Sequence, residues 1–163
     1  MDRTLLLMRH AKSSWDHPGL RDSERPLNKR GARDAPMMGA RLGASGYRCD
    51  LIISSPAVRA LETAKAVAAA MGYDGEIRTD ERLYMADDAD FFHVLREVEA
   101  GVMHLMLFSH NPGIEMFAER VTGASFEKFP TSAYALIAAG DSWSHFEGGE
   151  LLRFDFPKSA QVE

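Results

Sequence analysis

Four residues in this sequence have the type and setting to do chemistry together: Arg9, His10, Arg59 and His110. Each stands at or just after the end of a short apolar run. Arg9-His10 follows residues 4–8, Ser54-Ser55-Pro56-Ala57-Val58-Arg59 follows 51–53, and Ser109-His110-Asn111-Pro112-Gly113 follows 103–108. Apolar runs of this length suit buried strands. Open α/β sheets bind their ligands at the carboxyl ends of such strands, so the three clusters are expected to converge on one crevice. Pro56 and Pro112 suit the first position of a helix, with Ser55 and Asn111 as caps. Free N–H groups and the positive helix end there would favour an anion.

A phosphoryl group is the anion that needs this set. Guanidinium forks match its oxygens bidentately, and phosphoryl transfer is catalysed mainly by positioning and charge stabilisation. One neutral imidazole can attack phosphorus and hold the group covalently. The other, protonated, can donate to an oxygen as charge builds in the transition state. A metal centre is not expected: adjacent arginines repel a cation, and no His or Cys spacing here resembles a zinc site. There is no Walker A or dinucleotide-binding glycine pattern, and no cofactor is implied.

The elements that must position these residues read as an alternating series. Residues 28–44 place Ala32, Ala35, Met38 and Leu42 at helical spacing after Asn28 as N-cap, with Pro36 expected to kink or break the helix. From Ala57 a second helix carries Leu61, Ala64, Val67, Ala68 and Met71, and stops at Gly72. A weak strand is expected over 76–79 and a helix over 88–99. A further helix follows Pro112, marked by Ile114, Phe117, Ala118 and Val121. Residues 134–138 and 150–156, around Gly148-Gly149, read as strands without a helix between them. This order predicts an α/β three-layer sandwich: a mainly parallel central sheet, an antiparallel edge strand, and helices on both faces.

Composition sets the outer bounds. The chain has 163 residues, 45% hydrophobic and 26% charged, which is globular usage and predicts a single domain over 1–163. A net charge of −5 argues against a nucleic-acid binder. No apolar run is long enough for a membrane span or a signal peptide, and the lone Cys49 suits a reducing compartment, so a cytoplasmic protein is expected.

Leu6-Leu7-Met8-Arg9-His10-Ala11-Lys12-Ser13 resembles the first signature of the histidine phosphatase superfamily, the clan of phosphoglycerate mutase-like proteins. Ser54-Ser55-Pro56 with Arg59-Ala60 and Glu62-Thr63-Ala64 is similar to its second motif, and Ser109-His110-Asn111-Pro112-Gly113 to its third. Ala11-Lys12-Ser13, the His-Asn-Pro-Gly form and the short chain look most like SixA-type phosphohistidine phosphatases. The resemblance implies that His10 is the nucleophile and that Arg9, Arg59 and His110 surround the phosphoryl group. Glu81, in Asp80-Glu81-Arg82-Leu83-Tyr84, is the best positional match to the superfamily's proton donor. An imidazole leaving group could instead take its proton from His110 or solvent, leaving Glu81 a surface carboxylate. Ser13 opens a long polar loop to Leu27 and is a candidate for substrate binding.

The expected function is hydrolysis of a phosphoryl group, foremost phosphohistidine on a signalling or phosphotransfer protein. The expected partner is accordingly a phosphorylated protein such as a phosphotransfer domain. A broad phosphomonoesterase acting on a small phosphomonoester is the alternative, and a non-catalytic phosphoprotein-binding module a more distant one.

Overall fold

The computed structural model describes residues 2–158. Six strands form one sheet in the order β3-β2-β4-β1-β5-β6: β1 is Arg3–Arg9, β2 Leu51–Ser54, β3 Ile77–Thr79, β4 His104–Ser109, β5 Tyr134–Gly140 and β6 Leu151–Asp155. The first four run parallel, and β5 and then β6 join antiparallel at one side. Four helices cover the sheet: α1 Lys29–Ala44, α2 Val58–Met71, α3 Asp88–Arg96 and α4 Gly113–Thr122.

The strand pleat explains the three layers. Along β1, Leu5 and Leu7 face a core shared with α3 and α4, while Leu6 and Met8 face one shared with α1 and α2. Both faces are covered, so the central strands carry unbroken apolar runs at 5–8, 51–53 and 105–108 rather than alternating. Each fully buried Leu or Met is worth about 1.5–3 kcal/mol relative to exposure.

The helix ends depart from expectation in detail. Asn28 does cap α1, its side chain accepting from Gly31 N at 2.9 Å. α1 nevertheless runs unbroken through Pro36, because the carbonyl that loses its donor belongs to Ala32, on the exposed face. Ser55 and Pro56 fall short of the cap and first-turn positions of α2, whose N-cap is Ala57. The Ser55 hydroxyl accepts from Ala57 N at 3.2 Å, and this local turn delays the helix. Pro112, not Asn111, is the N-cap residue of α4. Helix α3 ends three residues before the expected boundary. Glu97 and Glu99 are drawn instead into forked ion pairs with Arg82 and Arg78.

Candidate active site

β2, β4 and β1 are neighbours with level carboxyl ends: Arg9 lies opposite Ser109, and Ser54 opposite Phe108. The residues following these strands therefore share one crevice, as the sheet topology requires. Arg9, His10, Arg59 and His110 come together there. The two imidazole rings are 5.1 Å apart. Arg59 Nε lies 3.4 Å from His10 Nε2. His10, Arg59 and His110 are buried and Arg9 is half-buried.

His10 is held in one tautomer. Its Nδ1 donates to the Ala11 carbonyl at 2.7 Å, which leaves Nε2 with a lone pair facing the Arg59 Nε–H. Burial pushes its pKa down to about 4; the Ala11 bond opposes this, and Arg59, Arg9 and Arg25 add to it. The ring is thus neutral near neutral pH, with the Nε2 lone pair available. Thr63 fixes its position relative to Arg59: the hydroxyl accepts from Ala11 N at 2.9 Å and donates to the Arg59 carbonyl at 2.7 Å. One side chain on α2 thereby ties the end of β1 to the first turn that carries the arginine.

His110 Nε2 is 2.7 Å from Ser55 Oγ. That oxygen already accepts from Ala57 N, so its own hydrogen is free for Nε2, and the imidazole proton then sits on Nδ1. His110 Nδ1 and Arg9 Nε are buried and find no hydrogen-bond partner among the described residues. Buried donors of this kind are costly unless something accepts from them. The expectation of a protonated His110 needs correction for the free site: burial, with His10 and Arg59 nearby, lowers its pKa to about 3. It is a neutral N–H donor until an anion arrives.

Asp22 is a site residue that sequence reasoning did not single out. It lies in a short 3-10 turn, Asp22–Glu24, within the polar loop after Ser13. Its carboxylate accepts from Arg59 Nη2 at 2.9 Å, Arg25 Nη1 at 2.9 Å and Tyr84 Oη at 2.6 Å, and its carbonyl accepts from Arg59 Nη1 at 2.6 Å. The Tyr84 bond, with those from Arg59 and Arg25, holds it well below the usual carboxylate range. It cannot serve as an acid near neutral pH. Arg25 is the strut of the loop, donating to Ser14 O at 3.0 Å and to Ser13 Oγ at 2.5 Å, with its guanidinium 3.3 Å from the Trp15 ring centre. Ser13 is therefore engaged in holding the loop.

Glu81 is not brought to the other four. It is exposed, at the start of the turn Glu81–Leu83, and it does not line the cavity beside His110. The same segment delivers Tyr84 instead, whose ring meets His110 edge-on at 5.4 Å. Thr131 and Ser132 adjoin the end of β1, where Ser132 N donates to the His10 carbonyl at 3.1 Å. Arg9 Nη1 donates to the Phe129 carbonyl at 2.8 Å, which anchors the guanidinium and leaves Nε free.

An imidazole lone pair beside guanidiniums and unpartnered buried donors has the chemistry to hold a tetrahedral oxyanion. The sequence profile of the histidine phosphatase superfamily, branch 1, matches residues 5–86, and the chain belongs to that superfamily. An uncharacterised protein of Mycobacterium leprae is 32% identical over 167 residues, covering 93% of this chain and 100% of that one. A structure from Agrobacterium tumefaciens assigned as the phosphohistidine phosphatase SixA superposes with a TM-score of 0.83 at 29% identity, covering 96% of this chain and 99% of that one. The protein histidine phosphatase SixA complexed with tungstate shares the fold, with a TM-score of 0.84 at 21% identity over 98% and 99% of the two chains. Family and fold together make the chain a phosphatase with a phosphoglycerate mutase-like α/β architecture. No helix among the described residues is long and apolar enough to cross a membrane.

Proposed function

We propose that this phosphatase hydrolyses phosphohistidine carried on a protein such as a phosphotransfer domain, through a phosphoryl group held on His10. His10 Nε2 attacks phosphorus, the bond from phosphorus to the substrate ring nitrogen breaks, and the substrate imidazole leaves. Water then attacks the phosphoryl-His10 bond, releasing inorganic phosphate and restoring the lone pair on Nε2. Arg9, Arg59 and the His110 N–H take up the charge on the equatorial oxygens in both steps.

The unpartnered, buried Arg9 Nε and His110 Nδ1 beside a lone-pair His10 carry this reading. Among the described residues no carboxylic acid stands ready in the cavity, which supports a leaving group that needs none. An alkoxide must be protonated as it departs, whereas a phosphohistidine protonated on its free ring nitrogen leaves as neutral imidazole. Asp22 is held ionised and Glu81 lies outside the cavity, so the site suits the second leaving group. The likeness to SixA phosphohistidine phosphatases supports the same choice.

Phosphate release from a phosphohistidine-bearing phosphotransfer domain and from para-nitrophenyl phosphate tests it, in wild type and His10→Ala, with and without EDTA. Fast, EDTA-insensitive release from the phosphoprotein, lost in the variant, is the expected result. Preference for the ester would make the protein a small-molecule phosphomonoesterase. Binding of the phosphoprotein without turnover would make it a binding module.

A further inference from the structure

A cavity of about 640 Å³ lies beside His110 and Arg59, with Tyr84 and the start of α4 in its lining. Its walls hold two large apolar side chains that the fold does not need exposed. Met85 is 81% exposed and Met116 58%. Met85 also sits at φ 57°, a left-handed backbone that a side chain of its kind seldom adopts. Methionine is the adaptable apolar residue of binding surfaces, and an exposed pair beside a reactive centre marks a contact site.

The rim gives the occupant its charge. Asp22, Asp87 and Asp88 line the cavity, and among the described residues the one guanidinium in its lining is Arg59, which is bonded to Asp22. Arg120 approaches Asp88 only to 3.8 Å on an exposed surface, a pairing too weak to cancel it. A leaving group with a second phosphate or a carboxylate would meet three carboxylates in the lining against the single guanidinium of Arg59 among the described residues. An apolar side chain flanked by a positive charge would find both complements.

We infer that this cavity docks the carrier protein through a segment that places an apolar side chain on Met85 and Met116 and a Lys or Arg against Asp87 and Asp88. The inference rests on the phosphohistidine reading and adds what selects among phosphohistidine carriers.

Three phosphohistidine peptides test it, identical except for Leu-Lys, Leu-Glu or Gly-Gly beside the phosphorylated residue, with para-nitrophenyl phosphate as a fourth substrate. Wild type is expected to favour Leu-Lys over Leu-Glu by roughly tenfold in kcat/KM, the combined effect of two partly screened charges. Gly-Gly should have the higher KM relative to Leu-Lys. Asp87→Asn with Asp88→Asn removes both charges while keeping a capping side chain on α3, since Asn caps as well as Asp; the Lys-to-Glu ratio should fall close to one. Met116→Ser should erase the advantage over Gly-Gly. Equal hydrolysis of all three peptides by wild type would overturn the docking site and leave the phosphohistidine reading standing. Turnover of the ester with none of the peptides hydrolysed would overturn that reading, and the docking site with it.

Discussion

Arg59 does three jobs with one planar group: its Nε faces His10 Nε2, and its two terminal nitrogens engage the carbonyl and carboxylate of Asp22. A lysine keeps the charge but cannot make that fork, so Arg59→Lys is expected to lower kcat on a phosphohistidine substrate by about a hundredfold. Arg59→Ala should do at least as much harm, and a Lys variant with near wild-type kcat would show that charge alone suffices. Arg9, His10, Arg59 and His110 were legible in the sequence because each stands in a distinctive cluster after an apolar run. The parts played by Asp22, Thr63 and Tyr84 were not, although Thr63 stands within the second motif. Their parts depend on contacts across 37, 52 and 62 residues of chain, between Asp22 and Arg59, Ala11 and Thr63, and Asp22 and Tyr84. No local pattern announces such contacts. Glu81 shows the limit of motif position: the sequence left it open between proton donor and surface carboxylate, and in the structure it is exposed while the same segment brings Tyr84 to His110.

Among the elements, α1 bears on His10 without touching it. Gly31, on its first turn, packs so closely on the segment after β1 that an added Cβ would lie 2.1 Å from the Lys12 carbonyl oxygen. Two effects of Gly31→Ala oppose each other. Alanine favours helix by about 1 kcal/mol, while the clash, against backbone on both sides, costs about 1–3 kcal/mol. The clash should win, lowering Tm by several degrees and also kcat, because the displaced segment includes the Ala11 carbonyl that fixes His10. An unchanged Tm and kcat would mean that the segment yields freely. Strands β1, β2 and β4 were readable as unbroken apolar runs, and the apolar stripes of α1, α2 and α4 were long enough to show a helical period. The turns Asp22–Glu24 and Glu81–Leu83 are three residues each, too short to show one. The early end of α3 reflects ion pairs with distant arginines, again invisible locally.

At the level of the whole molecule, the site makes the fold sensitive to acid. Unfolded imidazoles take up protons near pH 6.5, whereas His10 and His110 in the folded protein do so only near 4 and 3. Between those values the unfolded chain binds more protons, so stability falls as pH falls from about 6.5 towards 4. Tm measured across that window should drop more steeply for wild type than for a His10→Asn, His110→Asn double variant. Equal slopes would mean that the imidazoles are not held neutral. The three-layer architecture was legible because strand and helix periods alternate along the chain and both sheet faces need covering. The net charge of −5 argued against a nucleic-acid binder but gave no hint of where the acidic groups gather. That gathering at Asp22, Asp87 and Asp88 exists only once the loop, the 84–88 segment and α4 meet around one cavity.

The account stands or falls on the covalent step at His10. Mixing the protein with a phosphohistidine-bearing phosphotransfer domain, quenching in alkali within milliseconds, and mapping the phosphorylated peptide tests it most directly, since phosphohistidine survives base. The phosphoryl group should be found on the peptide containing His10, form and decay at rates compatible with turnover, and be absent from His10→Ala. Phosphate release at the wild-type rate with no labelled enzyme, or persisting in His10→Ala, would mean that water attacks the substrate directly and that His10 is not the nucleophile.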